Sequence, residues 1–135
     1  EFRCDREHIK LFDEIVRQYS PNAIYSCFGH DTHQDHTAMS KIVEIAARKN
    51  NSSFYMYENM IPGGITLNPF NPQFFINISD YHQRKIEILN IYESVFSKKL
   101  ELIESIIART AYRGGQIGVK NAEAFQVVKQ IEYWS

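Results

Sequence analysis

The feature that most constrains the fold is the alternation of amphipathic stretches with short apolar runs along the 135 residues. From Asp5 to Tyr19, apolar residues recur at three- and four-residue spacing, which predicts an amphipathic helix that ends at Ser20. The next run, from Ala23 to Phe28, is short, apolar and partly aromatic, which is typical of a buried strand, and Gly29 breaks it. A helix followed by a buried strand suits a sheet that is covered by helices.

The same alternation continues through the rest of the sequence. Thr32 and Asp35 resemble a capping box with Asp in place of Glu, so a second helix is predicted from His33 to about Lys49. The remaining predicted elements are strands at Ser53–Glu58, Phe74–Ile78 and the end of Ala122–Ile131, and helices from Ser79 through Tyr92 and over Ser97–Ala111. The proline-rich segment from Met60 to Gln73 is predicted to be a connecting loop or a surface lid, and the glycines between 114 and 118 predict another loop. The whole pattern predicts an α/β sheet layered with helices.

Composition and charge narrow the possible functions. Fifteen Lys and Arg residues against sixteen Asp and Glu residues leave a formal charge of -1, so no overall field attracts phosphate backbones and no nucleic-acid partner is expected. No window approaches the roughly 18 apolar residues of a membrane span, and no signal-peptide pattern is found. Cys4 and Cys27 do not form a Cys-x-x-Cys pair and are predicted to be reduced. We therefore expect a cytoplasmic protein of one domain with no membrane span.

Residues that can carry chemistry are concentrated in the sequence HDTHQDH, which directly follows the first predicted strand. It holds three of the five histidines and two aspartates: His30, Asp31, His33, Asp35 and His36. In open α/β sheets ligands collect beyond the carboxyl ends of strands, where the next helix offers free N–H groups and the positive end of its dipole. Residues 33 and 36 are one helical turn apart, with Cβ atoms roughly 5 to 6 Å from each other, so both imidazoles can face one site.

This cluster has a functional and a purely structural interpretation. Neutral imidazole is a preferred zinc ligand, and Asp31 and Asp35 are available to hold the second ring nitrogen of a histidine. A catalytic zinc needs about three protein ligands, so His33 and His36 are half of a site and other ligands must come from elsewhere. Alternatively, Thr32 and Asp35 serve only as helix caps. Three histidines and two aspartates so close together favour the functional interpretation.

HDTHQDH followed by an amphipathic helix resembles the second metal motif of the LmbE-like, or PIG-L, zinc-dependent deacetylases, whose core is His-Pro-Asp-His or His-Gln-Asp-His. Three further segments resemble the family's later strand, its aromatic strand with the following helix, and its near-terminal signature: SFYMYE, FFINISDYHQRKIEIL and YRGGQIGVKNAEAF. The resemblance covers nearly the whole chain from about Asp5. It implies a three-layer, Rossmann-like, mostly parallel sheet with helices on both faces. Residues 1–135 would form a single domain that is the C-terminal part of this fold and lacks its N-terminal strands.

The resemblance also implies roles for individual residues. It makes His36 a Zn²⁺ ligand and His33 the histidine that faces the substrate carbonyl, as general acid or oxyanion partner. Asp35 would orient His33 and favour its protonated form. Three more residues match positions around the site: His30, Asp31 and Arg113.

The family's first metal motif, His-Pro-Asp-Asp-Glu, is absent from these 135 residues, which contain no His-Pro pair. In the family it contributes a zinc-binding histidine, a zinc-binding aspartate and the aspartate that acts as general base. The resemblance therefore implies a zinc-dependent hydrolase that removes N-acetyl groups from an N-acetylglucosamine-type sugar conjugate, as part of a longer and homo-oligomeric parent protein. Two alternatives stay open: a truncated, non-catalytic domain that binds a sugar or a partner, and a metal-dependent phosphohydrolase that uses His30 and Asp31.

Overall fold

A computed structural model describes residues 3–59, 68–92 and 100–132 of the chain. The elements in chain order are α1 (Arg6–Tyr19), β1 (Ala23–Cys27), α2 (Gln34–Ala47), β2 (Ser53–Tyr57), β3 (Phe74–Asn77), a short 3₁₀ helix (Ser79–Tyr81), α3 (His82–Ile91), α4 (Leu100–Ile117) and β4 (Ala122–Lys129). None of the described helices is long and apolar enough to cross a membrane. Most of the segment predicted as a lid, residues 60–67, lies outside the described residues.

The strands form one four-stranded sheet in the order β1-β2-β4-β3. β1 runs parallel to β2, and β2 runs antiparallel to β4. The predicted α/β class is confirmed, and the sheet is mixed. The described residues fall into two compact units, one within Glu1–Gln73 and Phe125–Ser135 and the other within Phe74–Ala124.

The core of the first unit lies between the sheet and two helices, because α2 packs on β1 and β2 while α1 packs on α2. It is built from one apolar face of each element: Val16 on α1, Ile24 on β1, Phe28 after it, Val43 and Ala47 on α2, and Phe54 and Met56 on β2. Phe54 is fully buried. The apolar residues that repeat with helical spacing and those that alternate along strands thus pack in the same core. Because burial follows these sequence patterns, the boundaries of α1 and β1 lie close to the predicted ones.

The start of α2 differs from the prediction by one residue. The helix begins at Gln34, and its N-cap is His33 rather than Thr32. The Oδ1 atom of Asp31 accepts the backbone N–H of His33 at 2.6 Å, and Nδ1 of His33 accepts the N–H of Asp35 at 3.3 Å. An imidazole therefore takes the capping role that the sequence pattern gave to a threonine hydroxyl.

In the second unit, α4 continues through Gly114 and Gly115, so the loop predicted there is wrong for these two residues. Gly118, with φ of 75°, follows the end of the helix. A Cβ on Gly114 would lie 2.7 Å from the carbonyl oxygen of Val119 and 2.8 Å from the backbone nitrogen of Asn121. Gly114 is thus required by the close approach of the returning backbone and not by a turn.

The two neighbouring glycines of α4 are expected to respond oppositely to alanine. Gly114→Ala should lower the free energy of unfolding by about 1 to 3 kcal/mol, because the new methyl group meets backbone atoms that cannot rotate away. Gly115→Ala should raise it by about 0.5 to 1 kcal/mol, because no atom lies within 4 Å of its added Cβ and alanine favours the helix. Urea unfolding midpoints measure both changes, and equal shifts for the two variants would contradict this packing of α4.

Candidate active site

The candidate site lies where two parallel strands end at the same edge of the sheet. Cys27 and Tyr57, the last residues of β1 and β2, are register partners, and the N–H of Phe28 donates to the carbonyl of Tyr57 at 3.1 Å. The residues after each strand therefore emerge side by side. This is the location that the α/β pattern predicts for a ligand site.

Gly29 lets the loop after β1 approach α2 closely. A Cβ at this position would lie only 2.3 Å from Oγ of Ser40, which is itself buried on α2. Neither a larger residue at 29 nor a longer one at 40 fits this contact without a shift of the loop. The two small residues thus set how closely the loop after β1 approaches α2.

Asp31 is the centre of the site's hydrogen bonding. Its side chain is fully buried, and its Oδ1 atom accepts the backbone N–H of His33. Its Oδ2 atom lies 2.6 Å from Nδ1 of His36 and 2.7 Å from Nδ2 of Asn59. A buried carboxylate is costly unless it is paired and hydrogen-bonded, and these three donors meet that need.

The contact with Asp31 fixes what the imidazole of His36 can do. A carboxylate oxygen only accepts, so Nδ1 of His36 carries the hydrogen and Nε2 keeps its lone pair in the neutral ring. The side chain of His36 is 37% exposed, which leaves part of the ring open to solvent. Nε2 has no partner among the described residues. A histidine with one nitrogen on a buried carboxylate and the other available is the arrangement typical of a metal ligand in proteins.

The rings of His33 and His36 lie next to each other. Their centroids are 4.4 Å apart and their planes differ by 21°, so the two imidazoles are stacked on the same side of the helix start. Residue 35 contacts the ring of His33 through its backbone N–H, while its carboxylate belongs to an exposed residue. The orienting role of the Asp35 carboxylate therefore stays a prediction.

The other two predicted site residues have different surroundings. His30 is exposed, packs edge-on against Phe28 with ring centroids 5.4 Å apart, and has Nδ1 3.4 Å from Nδ2 of Asn68. Arg113 belongs to α4 in the second unit, where it is buried and donates to Oε1 of Gln116 at 2.9 Å. The part of Arg113 in the site stays a prediction.

Two residues of the site were not predicted from the sequence as site residues. Asn59 holds Asp31 from the end of β2, and Cys27 has Sγ 3.4 Å from the carbonyl oxygen of His36, to which it can donate. Asn59 could have been found from the rule that parallel strands end at one edge, because it lies two residues after β2. Cys27 carries no such signal, since it has the pattern of an ordinary core residue.

Burial raises the pKa of the Cys27 thiol, so it stays protonated at neutral pH and keeps its contact with the His36 carbonyl. We therefore expect the two cysteines to react very differently with a thiol reagent at pH 8. The exposed Cys4 should react within the dead time of ordinary mixing, and Cys27 only upon unfolding. Counting modified thiols in the native and urea-unfolded chain, with Cys4→Ser as reference, measures this. Rapid reaction in that variant would show that Cys27 is not shielded.

Among the described residues, no group of three or more His, Cys, Asp or Glu side chains is placed to hold a metal ion. His36 thus fits a metal through Nε2 but does not complete a site with its described neighbours. The expectation that further zinc ligands lie elsewhere stays a prediction.

No protein-family model matches the chain. Its fold is similar to that of the conserved protein TT1542 from Thermus thermophilus, with a TM-score of 0.81, 24% identity, and coverage of 99% of this chain and 64% of that protein. The fold is also similar to that of GalB, the 4-carboxy-2-hydroxymuconate hydratase from Pseudomonas putida. Here the TM-score is 0.72 and the identity 16%, with coverage of 98% of this chain and 62% of that protein. For N,N'-diacetylchitobiose deacetylase from Pyrococcus horikoshii the TM-score is 0.71 and the identity 15%, with coverage of 96% of this chain and 54% of that protein.

Further structural matches are deacetylases of the teicoplanin pathway and of the antimicrobial A40926, and one is a zinc-inhibited form of teicoplanin deacetylase. The chain spans about half to two thirds of the length of the structures that it matches. At these identities the similarity shows the fold, and that fold is used by several deacetylases and by a hydratase. The comparisons therefore support the predicted α/β architecture and the presence of deacetylases among its structural neighbours.

Proposed function

We propose that this chain supplies one part of the active site of a zinc-dependent hydrolase that removes N-acetyl groups from an N-acetylglucosamine-type sugar conjugate, within a longer LmbE-like protein. The single observation that carries the proposal is the pair formed by His36 and the buried Asp31, whose side-chain atoms are 2.6 Å apart. The deacetylases among the structural neighbours support it, and one of them acts on an acetylated chitobiose.

In the proposed site His36 holds zinc through Nε2, and Asp31 keeps the ring in the required tautomer and orientation. Zinc, when bound, supplies Lewis-acid polarisation of a carbonyl group and activation of water. The partly exposed ring of His36 lets a substrate reach this position. The rest of the ligand set and the general base are assigned to a His-Pro-Asp-Asp-Glu segment elsewhere in the parent protein.

His33 is proposed to contact the oxygen of the substrate carbonyl. Because its Nδ1 accepts the N–H of Asp35, the hydrogen of the neutral ring lies on Nε2, which makes that atom a donor. The centroid of its ring is 4.4 Å from that of the proposed ligand, so this donor would lie near a metal held by His36. Stabilisation of a developing oxyanion by one such donor typically accounts for about a 100- to 1,000-fold effect on rate.

A non-catalytic domain that binds a sugar or a partner is the second candidate. It is favoured by the finding that the described residues include no set of three side chains able to hold an ion. The phosphohydrolase alternative has less support, because that class uses its His-Asp pair in an all-helical bundle, whereas His30 and Asp31 follow a strand of a mixed sheet.

The test is made on the full-length protein that contains this chain. We expect about one bound zinc per chain and release of acetate from N-acetylglucosamine conjugates. Sugar binding without zinc or acetate release would favour the non-catalytic alternative. Hydration of an unsaturated hydroxy acid without acetate release would instead favour the chemistry of the hydratase among the structural neighbours. The same preparation, measured by light scattering, tests the homo-oligomer that we also propose.

A further inference from the structure

We propose that Asn59 is a positioning residue for the metal ligand: its side-chain amide holds Asp31 in the orientation that fixes the tautomer of His36. The tautomer is a property of the chain without metal, so this part of the inference is independent of the reaction. Only the consequence for metal affinity rests on the proposed function.

Asn59 connects the ends of two parallel strands. Its Nδ2 atom lies 2.7 Å from the carbonyl oxygen of Phe28, directly after β1, and 2.7 Å from Oδ2 of Asp31. An asparagine amide has two N–H groups, and each of them has an acceptor here. The residue is therefore tied to the backbone at the base of the loop and to the carboxylate at the centre of the site.

The carboxylate of Asp31 needs such a restraint. The torsion that rotates a carboxylate about its Cβ–Cγ bond has broad preferences, so packing and hydrogen bonds must select one orientation. The N–H of His33 holds Oδ1, and Asn59 holds Oδ2, the same atom that lies 2.6 Å from Nδ1 of His36. Both oxygens are thus fixed by groups of the protein other than the ring that they orient.

The residue type at 59 follows from its partners. The Phe28 carbonyl and Asp31 Oδ2 are both acceptors, so the side chain between them must present two donors. Aspartate at this position has only acceptor oxygens, so it would repel both the Phe28 carbonyl and Asp31 Oδ2, and it would add a second negative charge beside Asp31. Leucine would keep a similar volume and donate nothing. Asn59→Asp and Asn59→Leu therefore separate repulsion from simple loss of the amide.

The chain offers a matched control in Asn50. Its Nδ2 donates to the carbonyl of Ala46 at 3.2 Å, and its Oδ1 accepts the N–H of Ser52 at 3.0 Å. Like Asn59, it is a half-buried asparagine that joins two backbone segments, but it lies at the other end of α2 from His36. Asn50→Leu should cost stability without affecting the histidines.

The experiment measures the ¹⁵N chemical shifts of the His36 ring in the metal-free full-length protein at a pH where the imidazole is neutral. We expect the Nδ1–H tautomer to dominate in the native chain and in Asn50→Leu. A mixture of tautomers is expected in Asn59→Leu and a larger change in Asn59→Asp. Zinc affinity, measured with a competing chelator, should fall about 10- to 100-fold in the two Asn59 variants only, as is typical when an outer hydrogen bond to a ligand is lost. If Asn59→Leu does not fold, Asn59→Ala carries the same comparison, because alanine also donates nothing.

An unchanged His36 tautomer in the Asn59 variants would overturn the inference, as would equal losses of zinc affinity in Asn59→Leu and Asn50→Leu. A full-length protein that binds no zinc at all, but whose tautomer still changes in Asn59→Leu, would leave the inference standing and remove the proposed function. The two failures are therefore distinguishable in one set of samples.

Discussion

Replacement of His36 by alanine is expected to lower the zinc affinity of the full-length protein by more than about 100-fold and to abolish acetate release. This exceeds the loss typical of an outer hydrogen bond, because the variant removes a direct ligand. It also leaves the buried carboxylate of Asp31 without the partner at 2.6 Å. Chelator competition and an acetate assay on the same samples measure the two effects.

His8 provides the control for this variant. Its Nδ1 lies 2.8 Å from Oδ1 of Asp5, so it is also a histidine paired with an aspartate, but it sits in the first turn of α1. His8→Ala should leave zinc affinity and acetate release at native levels. Zinc retained at native affinity in His36→Ala would show that the metal assignment is wrong, whatever happens to activity.

The elements around the site were predictable because their signals are local. The amphipathic spacing of α1 and the apolar run of β1 before Gly29 are both read within a few residues of sequence. The stacking of His33 and His36 follows likewise from their spacing of one helical turn at the start of α2. Each of these features is set by neighbours in the chain.

What escaped prediction depends on contacts between distant segments. Gly114 lies inside a helix where the backbone of Val119 and Asn121 passes close by, and composition alone made it a loop residue. Asn59 reaches Asp31 across 28 positions of sequence, which only the pairing of β1 with β2 makes possible. The fold class and the availability of Asp31 as a partner for a histidine were therefore accessible from patterns, whereas the contact of Asn59 with Asp31 required three-dimensional proximity.

Replacement of His33 is expected to separate metal binding from turnover. His33→Ala in the full-length protein should keep zinc at native affinity and lower kcat by about 100- to 1,000-fold, because the proposed oxyanion donor is lost while the ligand ring remains. His33 is also the N-cap of α2, so alanine removes a cap and should cost about 1 kcal/mol of stability. The stability loss alone cannot account for a rate effect of that size.

His33→Asn makes the separation cleaner, because asparagine is a favoured N-cap and can accept the N–H of Asp35 but has no donor at the position of Nε2. Stability should stay near that of the native protein in this variant, while kcat falls as far as in His33→Ala. Thermal unfolding, zinc content and acetate release on both variants make the comparison. Full turnover in His33→Asn would restrict His33 to capping α2, since the only property that the substitution keeps is the cap, and the carbonyl contact would have to be assigned to another group.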